Sequence, residues 1–344
     1  LKQTKLFKIE TIEKDRDQLQ KAADILARGG LVAIPTETVY GLAANALDPE
    51  AAKAIYAAKG RPSDNPLIVH VSAVEEIRPL VTEMPKELFS LAEKFWPGPM
   101  TVILPKSRLV PKETSGGLDT VAIRMPSHPV ARELIRLAGV PLAAPSANLS
   151  GSPSPTCAQH CIDDLDGRVD AIVDGGECEV GVESTVLTLC SHPPKILRPG
   201  AVTLEQLSQV LPDVYMDEGV FGQVGDDVKV SSPGMKYRHY SPKARVILVK
   251  GDFESFQKFI QVQEGEFGVL CFQGEEKSLP KVCIPYGVNG DPASQAKHLF
   301  DALRQVDEDN LKLVYARVSD SEGIGQAVYN RLLRAAAFEQ IDLE

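Results

Sequence analysis

The sequence predicts an α/β protein in two parts, a mixed sheet with helices followed by a smaller, mainly parallel one. Three observations carry that expectation. The chain has 344 residues, more than the roughly 250–300 at which a single core stops growing. Short β-rich runs alternate with windows of helical apolar spacing in both halves. Between the halves, residues 212–242 lose periodicity and fill with Gly, Asp, Ser and Pro, which reads as a linker. The expected division is 1–208, 209–243 and 244–344.

Taken in order, residues 17–28 form a helix, because Leu19, Ala22, Ala23 and Leu26 recur at helical spacing and Gly29-Gly30 ends the run. Residues 31–35 (LVAIP) are a short buried strand. Asp48 caps the next helix, with Pro49 at its first position, and the pattern runs to Ala58. Strands follow at 67–71, 100–104, 120–125 and 141–144, with helices at 86–95 and 129–138 between them. Cys157, His160 and Cys161 would share one helix face. The strands at 168–173, 184–189 and 195–197 are too close together for crossover helices, so this end is antiparallel or mixed. After the linker come strands at 245–249, 267–272, 282–285 and 311–318 and helices near 253–260, 292–306 and 325–338, the alternation of a parallel α/β layer. No internal repeat or low-complexity tract interrupts the pattern.

With 43% hydrophobic and 24% charged residues, the composition excludes disorder and collagen. The net charge of −10 divides as −4 over residues 1–208 and −6 over 209–344, so neither half has the basic character of a domain that grips a nucleic-acid backbone. No run of about 18 apolar residues occurs, and residues 1–10 lack the basic-then-apolar order of a signal peptide, which leads to the expectation of a cytoplasmic protein. The six cysteines are therefore expected as free thiols. Cys157, His160 and Cys161 could start a zinc site, but no second pair supplies the missing ligands at a usual spacing.

Chemistry-bearing residues gather where strands of the first part end: Thr36-Glu37-Thr38 after LVAIP, Lys59-Gly60-Arg61 after a helix, Ser146-Ala147-Asn148 after PLAAP, and Arg124, Ser184-Thr185 and Arg198-Pro199-Gly200 beyond. Cations, hydroxyls and glycine-freed amides together suit a polyphosphate. Each residue also has a plainer reading. Lys59 and Arg61 can simply complement a helix dipole, Ser146 and Asn148 can cap a turn, and His70 can be a hydrogen-bonded interior histidine. The residues alone therefore reach an anion or nucleotide site and no further. GxxxxGK[ST], GxSxG and HExxH do not occur, and Gly323-Ile324-Gly325 lacks the third glycine of a dinucleotide fingerprint.

Six strings in order, PTETVYGL (35–42), KGRP (59–62), PSANLSG (145–151), STV (184–186), RPGA (198–201) and SPGMKYRHYSP (232–242), resemble threonylcarbamoyl-AMP synthases of the YrdC/TsaC type in their long two-domain form. The resemblance covers nearly the whole chain. It implies a YrdC-like twisted mixed sheet with a concave cavity, plus a small Rossmann-like parallel α/β C-terminal domain. It also implies a reaction in which L-threonine, bicarbonate or CO2, and ATP give L-threonylcarbamoyl-adenylate and pyrophosphate. The product would pass to the machinery that modifies tRNA, so tight tRNA binding is not expected of this chain.

Carried onto this sequence, the resemblance places threonine near Thr38, His70, Arg124, Ala144 and Ser184. It places ATP, with Mg2+, near Arg61, Asn65, Thr120, Ser146, Asn148, Ser154, Arg198 and Tyr240. Lys59 and Arg61 are the expected catalytic cations, exposed to the cavity. Glu37 is left between metal or water placement and a salt bridge, and no protein-held metal is expected. The string 232–242 is expected as a lid that touches ATP through Tyr240. Two rivals differ in class. A ribosome-associated RNA-binding module is disfavoured by the acidic charge and 6% aromatics. A carbamoyl-adenylate former for metal-centre assembly is disfavoured by the extra domain and the lack of zinc-finger cysteine pairs.

Overall fold

Both faces of the first sheet are covered, which explains why its strands read as continuous apolar runs rather than alternating ones. A computed structural model describes residues 2–222, 239–279, 281–318 and 322–343. Its first sheet comprises β1 (Lys5–Lys8), β2 (Val32–Ile34), β3 (Gly41–Asn45), β4 (Ile68–His70), β5 (Met100–Pro105), β6 (Thr120–Arg124), β7 (Leu142–Ala143), β8 (Ala171–Asp174), β9 (Thr185–Thr188), β10 (Lys195–Arg198) and β11 (Tyr215–Met216). Their spatial order is β1-β8-β2-β3-β7-β4-β6-β5-β9-β10-β11. Pairing is mixed: β1, β8 and β2 run parallel, whereas β3 is antiparallel to both β2 and β7. Of the three strands expected together at one end, β9 and β10 pair antiparallel, whereas β8 lies on the other side of the sheet, between β1 and β2 and parallel to both.

Helices α1 (Arg16–Ala27), α2 (Pro49–Lys59), α3 (Lys86–Phe95), α4 (Pro129–Ala138), α5 (Ala158–Leu165) and α6 (Leu204–Ser208) flank this sheet. In α2 the Asp48 side chain accepts from the Glu50 N–H at 2.9 Å, Pro49 opens the helix, and Gly60 closes it at φ 64°. β2 sends Val32 and Ile34 to a core shared with α1 and α4, and Ala33 to the opposite core beneath α2, α3 and α5. Residues 209–222 stay with this sheet in part, because β11 extends it beside β10.

The second sheet consists of β12 (Arg245–Lys250), β13 (Gly268–Cys271), β14 (Val282–Pro285), β15 (Leu313–Val318) and β16 (Gln340–Asp342), in the order β14-β13-β15-β12-β16 and parallel throughout. Helix α7 (Phe253–Gln261) covers one face, and α8 (Pro292–Glu308) and α9 (Gly325–Ala335) cover the other. The second core also takes in Val39, Val182 and Tyr240, so the two parts share apolar contact. Polar ties cross the same boundary: Arg304 donates to Asp164 at 2.9 Å and to the Pro153 carbonyl at 2.7 Å. At Gly181 (φ 83°) the backbones meet so closely that an added Cβ would lie 2.4 Å from the Ala296 carbonyl oxygen and 2.5 Å from the Lys297 Cα.

Among the described residues no helix is long and apolar enough to cross a membrane.

Candidate active site

Strand and loop ends converge on a cavity in the first part, closed on one side by His239 and Tyr240. The sheet register builds its floor, because His70 and Arg124 are neighbours at the ends of parallel strands β4 and β6. Thr36 and Ser146 reach it from the segments after β2 and β7, and Ser184 and Arg198 from the β9–β10 hairpin.

Arg124 is buried and donates from Nη2 to Glu37 Oε1 at 2.6 Å and from Nη1 to Thr38 Oγ1 at 2.9 Å. Glu37 is thus in a salt bridge, the plainer of its two expected roles. Burial alone would raise its carboxyl, but Arg124 outweighs that and holds it below the ordinary value. Glu37 Oε2 and Arg124 Nε have no partner in the structure. His70 Nδ1 lies 3.1 Å from the Ile68 carbonyl. Burial, with Arg124 beside it, lowers its pKa to about 3, so the imidazole is neutral, with Nδ1 donating and Nε2 able to accept. Ser184 Oγ sits 2.8 Å from Thr101 Oγ1 and accepts from Arg198 Nη2 at 3.2 Å. Ala144 lines the cavity, with its N–H already given to the Ile68 carbonyl at 2.9 Å.

Arg61 lines the cavity while donating to the Asn65 and Pro66 carbonyls at 3.3 and 3.1 Å, and burial lowers its pKa to about 10. Arg198 is anchored by donating from Nε to the Ser184 carbonyl at 3.0 Å. The cavity wall therefore carries three guanidinium groups, Arg61, Arg124 and Arg198, alongside the carboxylate of Glu183.

Lys59 differs from its expected exposure. It is only 3% exposed, and Nζ donates to the Ser146 and Asn148 carbonyls at 2.5 Å each. The ammonium lies behind the 145–151 turn, where burial pushes its pKa well below the ordinary value. Asn148 spends its amide on the Leu149 and Ser152 carbonyls at 2.7 and 2.9 Å, Ser154 donates to Glu183, and Asn65 is buried. Thr120 is half-buried at the start of β6. The cavity lining does not include Asn65, Thr120, Asn148 or Ser154.

Tyr240 is 5% exposed with φ 63°, a backbone region costly for a tyrosine, and its ring lies 5.4 Å from that of Phe300 in α8. His239 beside it is neutral for the same reason as His70, burial lowering its pKa to about 3. Lys236, Tyr237 and Arg238 of the expected lid lie outside the described residues.

Sequence reasoning passed over Glu183 and Arg331. Glu183 stands directly before the Ser184-Thr185 pair, so its place was open to inspection. Arg331 is fully buried on α9 and pairs with Glu183 at 2.9 Å. Its signal was faint: Ala327, Val328, Leu332 and Ala335 mark a buried apolar stripe, and Arg331 interrupts it. Among the described residues the six cysteines are free, and no group of three or more His, Cys, Asp or Glu is placed to hold a metal ion.

Two family descriptions match in series, "Telomere recombination" over residues 24–200 and "Threonylcarbamoyl-AMP synthase, C-terminal domain" over residues 202–337. A threonylcarbamoyl-AMP synthase of Pyrococcus abyssi is 44% identical over 94% of this chain and 95% of its own length. One from Bacillus subtilis is 46% identical over 93% of each. The crystal structure of P. abyssi Sua5 complexed with L-threonine superposes with a TM-score of 0.92 at 42% identity, covering 99% of both chains. Both sheets, and the cavity between the first sheet and Tyr240, thus lie within a likeness that spans the chain from end to end, and the chain belongs to the threonylcarbamoyl-AMP synthase family.

Proposed function

We propose that this chain makes L-threonylcarbamoyl-adenylate and pyrophosphate from L-threonine, bicarbonate or CO2, and ATP, for threonylcarbamoyladenosine formation in tRNA. The observation that carries the reading is one cavity that brings together two chemically distinct sets of side chains. One set is Arg124, neutral His70 and the Ser184 hydroxyl, with Thr38 held by Arg124 just behind the lining, and it suits the carboxylate and hydroxyl of threonine. The other is Arg61, Arg198, Ser146 and Tyr240, and it suits a nucleoside triphosphate. Ala144 flanks the amino-acid set.

The threonine amine first takes up the carbon source as a carbamate, whose oxygen then attacks the α-phosphorus and expels pyrophosphate. No protein nucleophile is needed, so alignment and charge neutralisation carry the rate. Arg61 and Arg198 offset charge growing on the phosphoryl oxygens. Lys59 acts from behind, fixing Ser146 and Asn148 through their carbonyls, and Ser154 acts through Glu183. Asn65 and Thr120 support the adenine end from outside the present lining, and Tyr240 caps the nucleotide. ATP arrives as its Mg2+ complex, the metal being part of the substrate. The adenylate then passes to the tRNA-transferring machinery in the cytoplasm.

Pyrophosphate release, measured with threonine, bicarbonate and ATP each omitted in turn, tests the reading. Release is expected only with all three present. Equal release without threonine would overturn it.

A further inference from the structure

The second part of the molecule sends one charged side chain into the cavity wall of the first. Arg331, fixed on α9, donates from Nε to Glu183 Oε2 at 2.9 Å, from Nη2 to the Glu183 carbonyl at 3.2 Å and from Nη1 to the Pro199 carbonyl at 2.7 Å. Its guanidinium carbon lies 5.6 Å from the centre of the Tyr240 ring. The groups it holds are neighbours in sequence of Ser184 and Arg198, and the other Glu183 oxygen accepts from Ser154. Arg331 has no exposed surface, so it does not meet substrate.

Glu183 poses a difficulty for an anion site. It is a carboxylate lining the wall where phosphates are to sit. Burial alone would raise its pKa, but Arg331 and Arg198 outweigh burial and keep it below the ordinary carboxylate value, so the negative charge persists. In a low-dielectric cavity such a charge repels a polyphosphate unless a cation cancels it. Arg198 lines the cavity and is wanted by the nucleotide itself, whereas Arg331 stands behind Glu183 and is not part of the lining.

We propose that Arg331 is a positioning residue for the synthase reaction, supplied by the C-terminal domain: it cancels the Glu183 charge and holds Glu183 and Pro199 so that the cavity accepts ATP. The inference rests on the reading that the triphosphate occupies this cavity. It gives the C-terminal domain a defined part in nucleotide binding.

The test is calorimetric titration of the full chain with MgATP alone and with threonine alone. Arg331→Met leaves Glu183 buried without its salt-bridge partner, and ATP affinity is expected to fall at least tenfold while threonine affinity changes less than threefold. Adding Glu183→Gln to Arg331→Met removes the stranded charge, and at least half of the loss in binding free energy is expected to return. Arg331→Lys keeps the cation and is expected to hold ATP affinity within about threefold of the parent, which keeps the test decisive if Arg331→Met fails to fold. Equal loss of both ligands, no recovery in the double variant, or a Lys variant as weak as the Met variant would overturn the proposal. Arg198→Ala serves as the separate check on the cavity. Unchanged ATP affinity there would remove the underlying reading and this proposal with it, whereas a loss there without recovery in the double variant overturns this proposal alone.

Discussion

Replacing Lys59 by Met keeps an unbranched stem in a buried slot and removes only the ammonium. Two carbonyls, of Ser146 and Asn148, lose a donor held at 2.5 Å. With Lys59 only 3% exposed, water does not replace it readily. Each stranded carbonyl costs about 1–3 kcal/mol. Part of that is returned, because the ammonium itself no longer has to be desolvated, a burden seen in the downward push on its pKa. A net loss of about 2–3 kcal/mol is expected, which for a chain of this size lowers the melting temperature by about 3–4 °C. The 145–151 turn should loosen with it, weakening ATP more than threonine. Differential scanning calorimetry and ligand titration on the same preparation read both effects. An unchanged melting temperature with a large fall in kcat would refute the positioning role, since it would mean that the ammonium acts on substrate directly.

For Arg124→Ala, threonine affinity is expected to fall at least tenfold and ATP affinity much less, measured by calorimetry; the reverse order would contradict the division of the cavity. A pH effect follows from His70 and His239, which the fold keeps neutral down to about 3 against 6.5 ordinarily. Between those values the unfolded chain binds more protons, so stability is present above pH 6.5 and is lost as pH falls toward 3, by up to about 1.4 kcal/mol per pH unit for each histidine. Urea midpoints recorded across that window should flatten in a His70→Gln/His239→Gln chain, and an unaltered slope would count against their burial.

Legibility in the sequence followed the physics of each segment. Helices α3 and α4 came out at their observed ends because apolar spacing and turn residues agree there. The parallel second sheet followed from strand and helix alternation. By contrast, β3 has no signal in the sequence, because GLAAN has neither alternation nor branched residues and owes its strand state to neighbours on both sides. The cluster of Arg124, Ser184 and Arg198 is visible as residue types at strand ends, whereas His70, inside an apolar run, joins it only through the family resemblance. Whether a cation faced the cavity was not, since Lys59 and Arg61 are two positions apart and only the packing of the 145–151 turn separates their roles. Arg331 lies 148 residues from Glu183 in sequence, and no local pattern joins them.

The backbone contact at Gly181 bears on how freely the two halves of this molecule can be recombined. With a carbonyl oxygen 2.4 Å from where a Cβ would stand, the seam admits neither a larger residue at 181 nor a bulkier path through 296–297. The halves are thus fitted to one another at a point that no change of side chain can adjust. Transplanting the second half from a relative would succeed only where the donor brings the same backbone path at that helix. The C-terminal layer is in this sense part of a matched pair rather than a detachable module.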